Sequence, residues 1–242
     1  MIDRTASIGI PVSTMVVLML SVFTVSMGYG IILPLLPYLI ERLLGASSDA
    51  VHVSTATGLL TGLYTLSLFL FATFWGHLSD RFGRRLILLI GLIGFSTTML
   101  TFAFIENLTA VYAERFLSGI FAAAVTPVAL ATIGDLAATE EVRARRLSFV
   151  SLAGISGFLL GPMLGVFLTR GPTTWLPVVS AVSSLAVPLA ATAILSLLAA
   201  AGVLVTLAGH RPADDVARRK ILPTAKPAAW LVPKLLTLSF IV

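Results

Sequence analysis

The sequence predicts an all-α integral membrane protein, a bundle of six transmembrane helices followed by the start of a seventh. Composition is the first reason. Of 242 residues, 57% are hydrophobic and 11% are charged, and mean hydropathy is +1.02. A soluble domain of this size has too little interior to hide that much apolar surface. Charge spacing is the second reason. The charged residues fall in short clusters between charge-free intervals, and a spanning helix needs roughly 20 apolar residues to cross about 30 Å of hydrocarbon. The third is asymmetry, because the arginine-rich clusters occupy alternate connections.

Taken in order, helix 1 lies at about 12–40, inside the interval Thr5–Ile40, and contains Pro34 and Pro37. It lacks a small-residue cleavage site and reads as a retained span. Helix 2, at about 56–77, and helix 3, at about 86–105, flank a short turn, Gly76–Arg85. Helix 4, at about 111–134, carries Glu114 and Arg115 within its apolar run, and helix 5 occupies about 147–169. The interval Gly171–Gly209 has no formal charge. It is too short for two spans and a turn, so it reads as one helix at about 176–208, with Pro188 as a kink point. These helices make a bundle over 1–209. A polar linker follows at 210–228, then a truncated helix 7 at 229–242, so the chain reads as a fragment.

The net charge of +5 would suit a nucleic-acid partner, but its distribution argues against one, since no soluble basic domain exists to carry the contact. Arg4, Arg81/Arg84/Arg85, Arg143/Arg145/Arg146 and the Arg211–Lys226 group fall on one side, with Arg42 and Arg170 on the other. By the positive-inside rule the N-terminus and the basic loops are expected in the cytoplasm of a multi-pass cell-membrane protein. The chain has no cysteine, which excludes disulfides and thiolate chemistry. His52, His77 and His210 have no metal-site spacing, and no polar cluster suggests a membrane enzyme, so neither metal nor organic cofactor is expected.

Several motifs carry physical meaning. In the turn, Gly76 allows a neighbouring helix to approach closely, Gly83 permits a tight reversal, Asp80 sits at a helix end, and Arg81, Arg84 and Arg85 can meet carboxylates. In helix 4, Arg115 is costly near lipid and needs a partner, with Glu114 and Glu106 available and Gly119 four residues on. Helix 5 places Gly154, Gly157, Gly161 and Gly165 near one face, with Pro162 permitting a bend. Helix 1 carries Gly28 and Gly30 ahead of Pro34 and Pro37.

Together these motifs resemble the major facilitator superfamily, and within it the twelve-span drug:proton antiporters. Gly76-x-Leu78-x-Asp80-Arg81-x-Gly83-Arg84-Arg85 resembles the family's loop 2–3 signature, and Arg115-x-x-x-Gly119 its helix 4 motif. Gly157-x-x-x-Gly161-Pro162-x-x-Gly165 is similar to the antiporter motif of its exporters, with Val166 where a second glycine is common. Gly28 to Pro37 is similar to the first helix of multidrug and tetracycline exporters.

The resemblance implies the N-terminal half of a fold with inverted three-helix repeats, working by alternating access against a second six-helix bundle. It implies that Asp135 pairs with Arg84 in a conformational latch with Asp80. It also implies a proton as the coupling ion, with Arg115, Glu114 and Gly119 on the proton or substrate path. Tyr29, Tyr64 and Phe121 are proposed to line a site for a small apolar cargo, and the lipid bilayer is the surrounding partner. One departure matters. Val25 stands where tetracycline exporters carry an acid, and no carboxylate lies between Thr5 and Ile40, which weakens both a tetracycline cargo and a helix 1 proton site. An uptake symporter, a non-transporting scaffold or truncated product, and a membrane enzyme stay open as alternatives.

Overall fold

The computed structural model describes residues 11–45, 49–137, 139–170 and 186–207. Seven α-helices run through them: α1 (Val12–Leu44), α2 (Ala50–Phe82), α3 (Arg84–Phe102), α4 (Leu108–Ala123), α5 (Thr126–Leu136), α6 (Glu140–Arg170) and α7 (Ala186–Thr206). They make six apolar spans, because α4 and α5 together form one, Leu108–Leu136. Among the described residues the protein is thus an all-helical membrane bundle of six spans. The linker and helix 7 expected at 210–242 lie outside the described residues, as does residue 176–185 of the sixth predicted helix.

The spans begin and end for local reasons. Asp49 and Asn107 cap α2 and α4, each side chain accepting from the backbone N–H two residues on. Gly83 has φ +95° and serves at once as C-cap of α2 and N-cap of α3, a left-handed geometry that glycine adopts without a Cβ clash. Pro34 and Pro37 lie inside α1, which continues to Leu44. The kink expected at Pro188 depends on residues 176–185, which lie outside the described residues. Pro188 stands in the first turn of α7 as described.

The predicted helix 4 is interrupted. At Ala124–Val125 the ladder tightens to i→i−3 bonds, Ala124 N–H to Phe121 O and Val125 N–H to Ala122 O, each 3.1 Å. Pro127, in the first turn of α5, has no N–H to offer the Ala123 carbonyl. The interruption follows directly.

Packing is closest between α1 and α6, α2 and α4, and α3 and α7. The α1–α6 seam is made of bare backbone. A methyl on Gly161 would sit 2.7 Å from Met27 O, one on Gly30 2.5 Å from Phe158 O, and one on Gly157 would overlap the Phe23 carbonyl. Gly154 and Gly165 have looser neighbours, Val22 and Ile31. The seam between α3 and α7 is stitched by two serines, Ser96 Oγ donating to Ala193 O at 3.0 Å and Ser196 Oγ to Leu92 O at 2.8 Å. Large apolar side chains stay exposed on α2 (Leu59, Phe69, Leu70, Phe74) and α6 (Leu152, Leu159, Met163, Phe167), as lipid or another bundle requires.

Candidate functional site

Two sites emerge, one at the α2–α3 turn and one inside the bundle. In the turn, Arg84 is the hub. Its Nε donates to Asp135 Oδ2 at 3.0 Å, its Nη2 meets Asp80 Oδ1 at 2.6 Å, and its Nη1 donates to Ser79 Oγ. The Ser79 hydroxyl donates in turn to Gly76 O at 2.8 Å. Arg84 keeps only 13% side-chain exposure, against 24% for Asp135 and 46% for Asp80. The cation is thus the sheltered member, held by two wetter carboxylates, so losing either carboxylate leaves a partly buried charge under-compensated.

Arg85 leaves this cluster and donates from Nη2 to Leu204 O at 3.0 Å, a cation on the C-terminal end of α7. Arg81 lies over the Phe82 ring at 5.6 Å. Gly76 departs from the role expected of it, since nothing in the described structure lies within 4 Å of a Cβ built there. Ser79 is a member that sequence reasoning missed. Its signal was proximity alone, a hydroxyl one residue before Asp80.

The interior site begins with a cavity of about 550 Å³. Its walls come from α1 (Val25, Ser26, Tyr29), α2 (Tyr64, Leu68, Ala72), both sides of the α4–α5 interruption (Ala122, Ala123, Thr126, Pro127) and α6 (Gly154, Ile155, Phe158, Leu159). Irregular backbone at membrane depth is tolerated where it lines such a space. The polar side chains among these residues are one serine, one threonine and two tyrosines, and no lining residue is charged. Tyr29 stacks on Tyr64 with centroids 4.8 Å apart and planes 9° apart, and on Phe158 at 5.8 Å. The three rings come from α1, α2 and α6.

Two of the three expected pocket residues, Tyr29 and Tyr64, line this cavity. Phe121 does not. Its ring presses against Gly94 of α3, where an added methyl would overlap it. On a helix apolar all round, sequence cannot say which face a ring takes. Phe158 was missed for the same reason, being one of several apolar residues on α6.

Behind Tyr64 lies the buried ion pair. Arg115 is 2% exposed and Glu114 4%. Arg115 Nε donates to Glu114 Oε2 at 2.7 Å and Nη2 to Oε1 at 2.9 Å. Adjacent helical residues do not ordinarily face each other, so both side chains bend to meet. The guanidinium carbon lies 4.4 Å from the Phe102 ring centroid and 5.9 Å from that of Tyr64. Arg115 therefore does not snorkel outward, and Glu106, which is exposed, is not its bidentate partner. Gly119 is packed tightly, with a built Cβ 2.7 Å from Tyr64 O and overlapping the Ser67 hydroxyl, which brings α2 against α4 beside the pair. Among the described residues no cluster of three His, Cys, Asp or Glu could hold a metal ion.

Comparison with known proteins agrees with this architecture. A sequence model of the Major Facilitator Superfamily matches residues 18–242. Quinolone resistance protein NorA of Staphylococcus aureus is 32% identical over 154 residues, 64% of this chain and 38% of the relative. Multidrug resistance protein 2 of Bacillus subtilis is 30% identical over 154 residues, 63% of this chain and 36% of that protein. The matched stretch thus spans well under half the length of these relatives. The inward-open structure of the xylose transporter XylE from E. coli superposes with a TM-score of 0.62 at 18% identity, covering 84% of this chain and 54% of that one, a likeness of fold. With six apolar spans, the Arg84 cluster and a family match over nearly its full length, the chain belongs to the Major Facilitator Superfamily of membrane transporters.

Proposed function

We propose that this protein exports small apolar or amphipathic aromatic compounds in exchange for protons, as a secondary active transporter of the plasma membrane. The N-terminus and the arginine-rich turns face the cytoplasm, following the charge asymmetry. The observation that carries the reading is the cavity wall of Tyr29, Tyr64 and Phe158. Three aromatic rings with no charged residue among the lining suit a flat, apolar cargo or a delocalised cation, and offer little to a sugar, which needs many hydrogen-bond partners. The drug-resistance names of the two relatives point the same way.

In this mechanism the six-helix bundle supplies one wall of the pathway, and a second six-helix bundle supplies the other. Rocking of the two opens the cavity to either side in turn. The Arg84 cluster acts as the latch that holds one of these states, because its ion pairs join the α2–α3 turn to the end of α5.

The test is dye transport by the full-length protein in everted membrane vesicles with an acid lumen. Ethidium is expected to accumulate in the lumen, collapse of the gradient to abolish accumulation, and Tyr29→Ala or Phe158→Ala to raise the half-saturating dye concentration about tenfold, in line with the loss of one ring contact. Gradient-independent behaviour of the wild type, with the protein inserted normally, would sink the reading.

A further inference from the structure

Backbone groups freed by a break in a membrane helix have to be met somewhere, and at the α4–α5 interruption they can be followed one at a time. Ala124 N–H turns to Phe121 O, which leaves Ile120 O without its helical donor. The Trp75 indole of α2 supplies the replacement, Nε1 donating to Ile120 O at 2.8 Å. Ala122 O takes Val125 N–H at 3.1 Å. The Ala123 carbonyl receives nothing from Pro127, which has no N–H, and both of these residues line the cavity.

Two hydroxyls on the same cavity are also unmet. Elsewhere in these helices such groups are returned to their own backbone. Ser21 donates to Val17 O, Thr24 to Leu20 O and Thr132 to Val128 O, at 2.7–2.8 Å. Ser26 and Thr126, which both line the cavity, depart from this habit, and among the described residues neither hydroxyl has a partner. Thr126 is the first residue of α5, and the carbonyl four residues back, Ala122 O, already holds Val125 N–H. Ser26 faces Gly154 of α6, where even an added methyl would lie 3.5 Å from its Oγ. A polar group left unpaired in apolar surroundings costs free energy, and a ligand that supplies the bond recovers it.

We infer that Ser26, Thr126 and the Ala123 carbonyl form a polar pole of the cavity that receives an N–H donor of the cargo, so that the preferred cargo is a flat aromatic amine with unsubstituted N–H groups. The inference rests on the export reading above and deepens it. A carbonyl only accepts, whereas a hydroxyl accepts as well as donates, so the one kind of group that suits all three is a donor. No acid lines the cavity, and the pole therefore selects by hydrogen bonding and not by charge. Ser26 stands three residues before Tyr29 on α1, about 4.5 Å along the helix axis. An amino group on the rim of a fused ring system stacked on Tyr29 reaches that far. The aromatic wall grips the face of the cargo, and the pole decides which way round it lies.

Equilibrium binding of two dyes to the purified full-length protein in lipid nanodiscs tests this. Proflavine and acridine orange share one acridine cation, but proflavine bears free amino groups where acridine orange bears dimethylamino groups. Ser26→Ala and Thr126→Val are each expected to weaken proflavine about threefold to tenfold, the worth of one hydrogen bond, and to change acridine orange by less than about twofold. Thr126→Ser should bind proflavine as the wild type does. Tyr29→Phe, which keeps the ring and removes its hydroxyl, should leave the ratio of the two affinities where it is. Equal losses for both dyes in normally inserted Ser26→Ala and Thr126→Val, or no loss for either dye, overturn the pole and leave the export reading intact. A ratio abolished by Tyr29→Phe overturns it too, by moving the donor's partner to the tyrosine. If the wild type binds neither dye, the export reading falls and the pole with it.

Discussion

Arg84 and Asp135 lie 51 positions apart in the chain and meet at 3.0 Å, joining the first residue of α3 to the last turn of α5. Asp80 holds the same guanidinium from the last turn of α2. One side chain therefore fixes three helix ends. Asp135→Asn is expected to destabilise this three-helix junction by about 1.5–3 kcal/mol, the range for a hydrogen bond to a charged group. Asp80→Asn should cost less, because that carboxylate is the more exposed. Both should slow dye export several-fold at normal expression, and Asp80→Asn transport equal to the wild type would remove Asp80 from the latch.

The α1–α6 seam predicts opposite signs for two like substitutions. Gly157→Ala sets a methyl against the Phe23 carbonyl and should destabilise by about 1–3 kcal/mol, as overpacking does. At Gly165 the nearest neighbour to a methyl is Ile31 Cγ2 at 3.5 Å, so Gly165→Ala should be neutral or stabilise by up to about 1 kcal/mol. Thermal unfolding of the detergent-solubilised protein separates the two.

The Glu114–Arg115 pair predicts strong non-additivity. Arg115→Met alone leaves a carboxylate in the apolar interior and should destabilise by about 3–5 kcal/mol. Adding Glu114→Leu to Arg115→Met should recover most of that loss. Melting temperatures of the two singles and the double measure the coupling.

The two serines between α3 and α7 predict a small effect. Ser96→Ala and Ser196→Ala should each cost about 0.6 kcal/mol, the typical worth of an interhelical hydrogen bond in a membrane bundle. A loss several times larger in either would show that the seam depends on them far more than its apolar contacts suggest.

Much of this was legible because charge is so scarce. The intervals between charged residues located the spans but not their ends, since α2 runs Ala50–Phe82 against an expected 56–77 and α6 runs Glu140–Arg170 against an expected 147–169, and Gly83 marked a turn that requires positive φ. What was not legible is which way an apolar helix faces. Phe121 turned toward α3, Phe158 toward the cavity and Phe102 toward Arg115, and no periodicity distinguishes them when every face of the helix is apolar. The interruption at Ala124–Val125 was hidden for a related reason. Membrane burial lets an apolar run continue in sequence across a break in the helix, so that Pro127 was its sole sign. The Glu114–Arg115 pairing ran against the usual rule that adjacent helical side chains diverge.

The glycine seam has a mechanical consequence. Where α1 and α6 meet, main chain rests on main chain at Gly30, Gly157 and Gly161, with no rotamers between them to yield. The two helices are effectively welded into one strut, so a displacement at one end arrives undiminished at the other. Flexure has to be taken up elsewhere, and the α4–α5 interruption that lines the same cavity, held by two i→i−3 bonds, is the natural crease.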